Sequence, residues 1–142
     1  MTRIDFYILN NHDALAREQF ACRLVEKALQ QDNQIYLHVQ DEQHSQHLDQ
    51  LLWSWRQNSF LPHQQQGQAD DTDCPVLIGH DHEPEGTSQV LINLDLEIPG
   101  FFSRFDRVIE IVDQNTNTKE KAREHFTYYR DRGYDLNTHN IN

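Results

Sequence analysis

The 142-residue sequence predicts a three-layer α/β fold, in which a mostly parallel β-sheet carries helices on both faces. Two observations lead to this prediction. Short runs of β-branched and aromatic residues alternate with longer segments whose apolar residues recur every three or four positions. That alternation is typical of parallel strands joined by helices, and a hydrophobic content of 37% supplies a core. Because no repeat or long linker divides the chain, we expect residues 1–142 to form a single domain.

The first half of the chain contains two predicted strand–helix pairs. They are a strand at 3–9, a helix at 14–31, a strand at 34–39 and a second helix that ends at Trp53 and Trp55. Asp13 and Asp41 precede the two helices and are the expected N-caps, because a carboxylate there accepts hydrogen bonds from unpaired helix amides.

The second half alternates less regularly. Residues 63–74 are rich in glutamine and aspartate and are predicted to form a solvated loop. The elements predicted after it are strands at 76–79, 89–94 and 107–112 and a last helix at 116–132. Gly133 is the expected C′ residue of that helix, because glycine accepts the left-handed conformation that ends many helices.

Charge and patterning exclude several classes of protein. Twelve basic against 23 acidic residues give a formal charge of −11, which argues against a broad surface for nucleic-acid phosphates. Two cysteines cannot form a disulfide framework, and no leader or membrane span is visible, so we expect a cytoplasmic protein. None of the five glycines has the spacing of a phosphate-binding loop, and the turn at 10–13 ends in a carboxylate.

The nine histidines raise the question of a metal site. The densest cluster is the turn His80–Glu83, and His44 and His47 lie one helical turn apart. Neither matches the spacing of a zinc motif, and a solvated turn is the favoured interpretation of His80–Glu83. No serine lies in a nucleophile elbow. The sequence therefore predicts no catalytic residue, no metal and no cofactor.

The last predicted helix is basic on an acidic chain. Five of the twelve basic residues lie between 119 and 132 (Lys119, Lys121, Arg123, Arg130 and Arg132). Helical periodicity places Ala122, Phe126 and Tyr129 on an apolar stripe, with Lys119, Arg123, Thr127 and Arg130 along its shoulder. Cations beside an apolar stripe suit a ligand that is both anionic and hydrophobic. The alternative is an ordinary solvated face, in which these cations balance the helix dipole and neighbouring carboxylates.

Aromatic residues cluster at the end of the second predicted helix. Trp53 and Trp55 are followed at once by the segment 60–63 (FLPH). These side chains form either part of the core or a partly exposed, peptide-sized pocket.

Two segments carry a family resemblance. Residues 48–63 (LDQLLWSWRQNSFLPH) and 122–138 (AREHFTYYRDRGYDLNT) resemble the chi subunit of bacterial DNA polymerase III holoenzyme, as do the strand patterns at 6–9 and 108–113. The likeness spans nearly the whole chain. It implies a Rossmann-like fold and a non-catalytic accessory subunit.

The resemblance also implies partners and a binding site. Members bind the psi subunit, which tethers chi to the clamp loader, and separately the acidic, phenylalanine-terminated C-terminal tail of single-stranded DNA-binding protein (SSB). DNA would then be contacted only through SSB. The tail-binding residues implied by motif position are Trp53, Phe60, Arg123, Phe126, Thr127 and Arg130. Arg123 would hold the terminal carboxylate and Arg130 the upstream aspartates. No residue is assigned to psi.

The chain departs from the family pattern at Thr127, where well-known relatives carry a lysine. Two alternative functions remain open at this point. One is a small α/β nucleotide-binding enzyme, and the other is direct contact between the basic helix and single-stranded DNA.

Overall fold

A computed structural model describes residues 2–55, 62–66, 74–86 and 88–141. The strands are β1 (Arg3–Leu9), β2 (Ile35–His38), β3 (Gln64–Gln65), β4 (Val76–Gly79), β5 (Val90–Asn93), β6 (Arg107–Val112) and β7 (Asp135–Ile141). The helices are α1 (Ala14–Gln30), α2 (Glu42–Trp53) and α3 (Thr116–Asp131), and a 3-10 turn spans Phe102–Arg104. Within this part of the chain, no helix has both the length and the apolar character needed to cross a membrane.

The seven strands form one sheet in the order β3-β4-β2-β5-β6-β1-β7, and every neighbouring pair is parallel. Helices α1 and α2 pack on one face, which we call the α1 face, through Val25, Leu48 and Leu52. Helix α3 packs on the other, the α3 face, where Tyr129 is fully buried. The predicted three-layer α/β architecture is confirmed.

Local caps explain where the helices begin and end. The Asp13 carboxylate accepts a hydrogen bond from the Leu15 amide at 3.0 Å, and the Asp41 carboxylate accepts one from the His44 amide at 2.8 Å. Both predicted N-caps are confirmed. Gly133 has a φ of +78° and directly follows Arg132, the C-cap residue of α3, so its predicted role as the C′ residue is confirmed too.

Two predictions about the elements were wrong. The segment 63–74 is not entirely a loop, because Gln64 and Gln65 form β3 beside β4 and are half-buried. Gln65 is held there by a 3.1 Å hydrogen bond from the Ser45 hydroxyl, so its amide is paired rather than solvated. Residues 67–73 lie outside the described residues. The second error is β7, which the sequence did not predict.

Candidate functional site

Helix α3 presents one face to the sheet and one to solvent. The Phe126 ring lies 5.5 Å from that of Phe6 on β1, and Tyr129 is fully buried. Ala122, Phe126 and Tyr129 all contact the core of this face, which confirms the predicted apolar stripe. Arg123 projects from the exposed side of the helix. The helical period therefore places a cation directly beside a half-buried aromatic ring.

A cavity of about 230 Å³ opens between α3 and the sheet. Its apolar lining comes from alternate β1 residues, from the end of β6 and from the α3 stripe, and two cations one helical turn apart contribute to its wall. The lining residues are Phe6, Ile8, Val112, Gln114, Lys119, Ala122, Arg123, Phe126 and Thr138. A cavity of about 150 Å³ can hold benzene, so this one can accept a phenyl ring.

The two cations of this cavity have no protein partner among the residues that the structure describes. Within the described part of the chain, no hydrogen bond or ion pair engages the Lys119 ammonium or the Arg123 guanidinium. Other cations of α3 are engaged, since Lys121 lies 3.3 Å from Glu97 and Arg130 lies 3.3 Å from Asp131. The N–H groups of Lys119 and Arg123 are therefore available to donate hydrogen bonds to an anion that enters the cavity.

The structure brings together only part of the residue set predicted for tail binding. Arg123 and Phe126 line the cavity. Thr127 and Arg130 are exposed, one and two turns further along α3, and do not line it. Phe60 lies outside the described residues.

Trp53 does not belong with the α3 residues, and the prediction that they share a pocket was wrong. Helix α2 packs against β3 and β4, on the α1 face and at the far end of the sheet from β7. The Trp53 side chain is 54% exposed there, and its ring lies 5.0 Å from that of His63. The sheet itself therefore separates Trp53 from Arg123.

The cavity residues outside α3 were not among those predicted from the sequence. Phe6 and Ile8 alternate along β1, so their shared face was visible in the sequence as a period of two. Gln114 had no such signal. It is fixed just beyond β6 by its own side chain, which donates a 2.7 Å hydrogen bond to the Leu9 carbonyl. Thr138 belongs to the unpredicted β7.

Two other candidate sites are the turn at 80–83 and the start of α1. In the turn at 80–83, His82 pairs with the Asp81 carboxylate at 2.6 Å, and both side chains are exposed. Across the described residues, no three histidine, cysteine or acidic side chains are arranged to hold a metal ion. At the start of α1, the Asp13 carboxylate already accepts from the Leu15 amide where a phosphate would bind.

Comparison with known proteins decides the family. Residues 1–137 match the family described as DNA polymerase III chi subunit, HolC. The chain belongs to the chi subunit family of DNA polymerase III. A chi subunit is an accessory component, so this chain has an accessory role in DNA replication and no intrinsic catalysis is expected.

Individual relatives span nearly the whole chi-family chain. The DNA polymerase III subunit chi of Pseudomonas aeruginosa is 43% identical over 141 residues, covering 99% of this chain and 98% of that protein. The subunit chi of Escherichia coli K12 is 28% identical over 143 residues, covering 97% of each. Among solved structures, the crystal structure of T4 UvsW matches with a TM-score of 0.64 at 9% identity, over 99% of this chain and 42% of that one. This last likeness shows the fold alone.

Proposed function

We propose that this chi-family chain couples the replicative polymerase to SSB-coated DNA by docking the acidic C-terminal tail of SSB in the α3 cavity. The psi subunit would tether the chain to the clamp loader in the cytoplasm. The observation that carries the proposal is an apolar cavity whose two cations have no partner among the described residues, on a molecule of net charge −11. Few ligands other than a hydrophobic anion suit such a combination.

The chemistry of the tail matches the cavity end to end. Its terminal phenylalanine ring would lie against Phe6 and Phe126, where the lining is apolar. Its terminal carboxylate would accept two parallel hydrogen bonds from the planar guanidinium of Arg123. Lys119, one turn earlier, would add a second positive charge to the same end. The aromatic ring thus gives the affinity and the carboxylate fixes which end of the peptide enters.

We do not assign Trp53 to this site, because α2, the helix that carries it, packs on the α1 face through Leu48 and Leu52. Thr127 and Arg130 would contribute little, since Thr127 is neutral and Arg130 is already beside Asp131. Binding by Lys119 and Arg123 alone should be weak for one tail. Several tails on an SSB oligomer would raise the overall affinity through effective concentration.

Replacing Arg123 tests the proposal. We expect Arg123→Ala to weaken binding of a synthetic SSB tail peptide by about tenfold or more, the scale of a lost hydrogen bond to a charged group. The melting temperature should hardly change, because Arg123 is exposed and contacts no partner within the described residues. Isothermal titration calorimetry measures the first and thermal unfolding the second.

The matched control is Lys121→Ala, on the side of α3 that faces Glu97. It removes a charge from the same helix and should leave peptide affinity within about twofold, since the two sites are on opposite sides of α3. A peptide without its terminal phenylalanine should bind neither the wild type nor Lys121→Ala. Unchanged affinity in Arg123→Ala would contradict the proposed site, and stabilisation by several degrees with a nucleotide would instead favour an enzyme.

A further inference from the structure

The polar groups in the lining of the α3 cavity are of two kinds. The cations Lys119 and Arg123 carry only hydrogen-bond donors. The side-chain acceptors of the lining are the amide oxygen of Gln114 and the hydroxyl of Thr138. The last residue of a peptide has a carboxylate, which accepts, and a backbone N–H, which donates. The donors and the acceptors of the lining therefore suit two different groups of one terminal residue.

The side chain of Gln114 is held in one orientation. Its Nε2 donates a 2.7 Å hydrogen bond to the Leu9 carbonyl, and its backbone N–H donates one of 2.7 Å to the Asn11 carbonyl. Because a carbonyl oxygen accepts and does not donate, the nitrogen of the Gln114 amide must be the atom that faces Leu9. The side chain is thus anchored at the end of β1 through its nitrogen, and its oxygen remains for a ligand.

The Gln114 oxygen is both unpaired and accessible in the part of the chain that the structure describes. No hydrogen bond to Oε1 is present among those residues. Gln114 is half-buried, yet its Oε1 is not one of the buried side-chain oxygens that lack a partner, so solvent reaches it. An acceptor that is already held in place loses little conformational entropy when a ligand binds. Gln114 is therefore ready to accept a hydrogen bond from a ligand.

The position of Gln114 puts its side chain next to the first turn of α3. Val112, which ends β6 and lines the cavity, is the second residue before it. The Lys119 amide donates to the Asn115 carbonyl at 3.0 Å, so Lys119 lies one helical turn from the residue that follows Gln114. Arg123 lies one further turn along α3. The fixed acceptor of the cavity is therefore at one end of its row of donors.

We infer that Gln114 Oε1 accepts a hydrogen bond from the backbone N–H of the last residue of the docked tail, which makes Gln114 a specificity-determining residue of the α3 cavity. This inference rests on the proposed function. The N–H and the carboxylate of a terminal residue are attached to the same Cα, so both enter the same part of the cavity. The carboxylate pairs with Lys119 and Arg123 and avoids Oε1, because two acceptors repel each other. The ring, the carboxylate and the N–H then each have a separate partner, so the cavity selects a terminal phenylalanine over other aryl acids.

An ester analogue of the SSB tail peptide tests this inference. Replacing the terminal phenylalanine by L-phenyllactate exchanges the N–H for an ester oxygen and keeps the ring and the carboxylate. In calorimetry with the wild type, we expect the ester to bind about three- to tenfold more weakly than the amide, the scale of one hydrogen bond. Gln114→Met has a side chain of similar length without an amide oxygen, and the two peptides should bind it within about twofold of each other. Loss of the hydrogen bond to Leu9 affects both peptides alike, so the ratio of the two affinities reports the contact with the N–H.

The matched control is Thr138→Val, which removes the other side-chain acceptor of the lining. It should keep the preference for the amide. The inference is wrong if the wild type shows no preference, if Gln114→Met keeps it, or if Thr138→Val loses it. The proposed function still stands in those cases when Arg123→Ala weakens both peptides. If Arg123→Ala weakens neither peptide, the proposed function fails and the inference fails with it.

NMR on the wild type tests the same contact without a substitution. The signal of the Gln114 side-chain carbonyl carbon should shift when the amide peptide is added and much less with the ester at equal saturation. Equal shifts with the two peptides would contradict the inference.

Discussion

A buried carboxylate, Glu110, organises the interior beneath α3. It accepts hydrogen bonds from the Tyr129 hydroxyl at 2.8 Å, from Asn93 Nδ2 at 3.0 Å and from His125 Nδ1 at 3.1 Å. The other ring nitrogen of His125 lies 2.9 Å from the Leu96 carbonyl. Both ring nitrogens thus face acceptors, an arrangement that only the protonated imidazolium satisfies, because it donates from both.

This geometry makes stability depend on pH. Burial alone would lower the pKa of His125, but the hydrogen bond and charge of Glu110 outweigh it and raise that pKa. A raised pKa stabilises the folded state fully below the unfolded value of about 6.5, and the stabilisation is lost as pH rises through the folded value. We expect the free energy of unfolding, measured with urea, to be about 2 kcal/mol higher for the wild type than for His125→Gln at pH 6. This difference should become progressively smaller up to pH 9.

The control for this experiment is His12→Gln, in the exposed turn between β1 and α1. It should change the free energy of unfolding by less than about 0.5 kcal/mol across the same pH range, since exposed substitutions usually do. A constant difference between wild type and His125→Gln from pH 6 to 9 would show that the imidazolium is not what stabilises this contact.

At the scale of elements, the turn from α3 into β7 depends on one glycine. The Gly133 amide bonds to the Arg130 carbonyl at 3.0 Å and the Tyr134 amide to the Tyr129 carbonyl at 3.2 Å, which is a Schellman motif. Gly133 has a φ of +78°, and an added Cβ would meet nothing within 4 Å. Gly133→Ala should therefore cost about 1 kcal/mol through backbone strain alone, measured by urea unfolding. Gly100→Ala, without a positive φ, should be nearly neutral, and equal effects of the two would refute this account.

The elements that the sequence predicted are those whose apolar pattern is complete. Strands β4 and β6 were predicted with their observed bounds, because each is a run of residues buried in the sheet. Neither edge strand, β3 or β7, was predicted. Gln64–Gln65 carries no apolar residue, and β7 keeps most of its side chains exposed or half-buried, so neither shows the alternation of a buried face. An edge strand is stabilised by backbone pairing with one neighbour, and that leaves little trace in composition.

For the molecule as a whole, the part of the site that lies on one helix could be predicted and the part that depends on topology could not. The spacing of Arg123 and Phe126 follows from the helical period, and the structure places both at the cavity. Trp53 was grouped with them because it is aromatic and near a proline turn. Which face of the sheet α2 covers depends on the strand order, in which β2 and β1 are separated by two strands. Local sequence patterns do not determine the strand order, so they do not show which face of the sheet α2 covers.

The charge of the whole molecule sets what it binds. At a net charge of −11, the chain should not bind bare single-stranded DNA at about 150 mM salt. Fluorescence anisotropy of a labelled strand should show weaker binding than that of typical nonspecific binders, whose dissociation constants are about 10⁻⁴–10⁻⁶ M. Adding the chain to the same strand coated with intact SSB should raise the anisotropy, and SSB lacking its acidic tail should abolish that rise. If the chain binds the bare strand, and this binding weakens steeply with salt, basic residues such as those of α3 contact the phosphates directly. The SSB tail would then not be the ligand that recruits the protein.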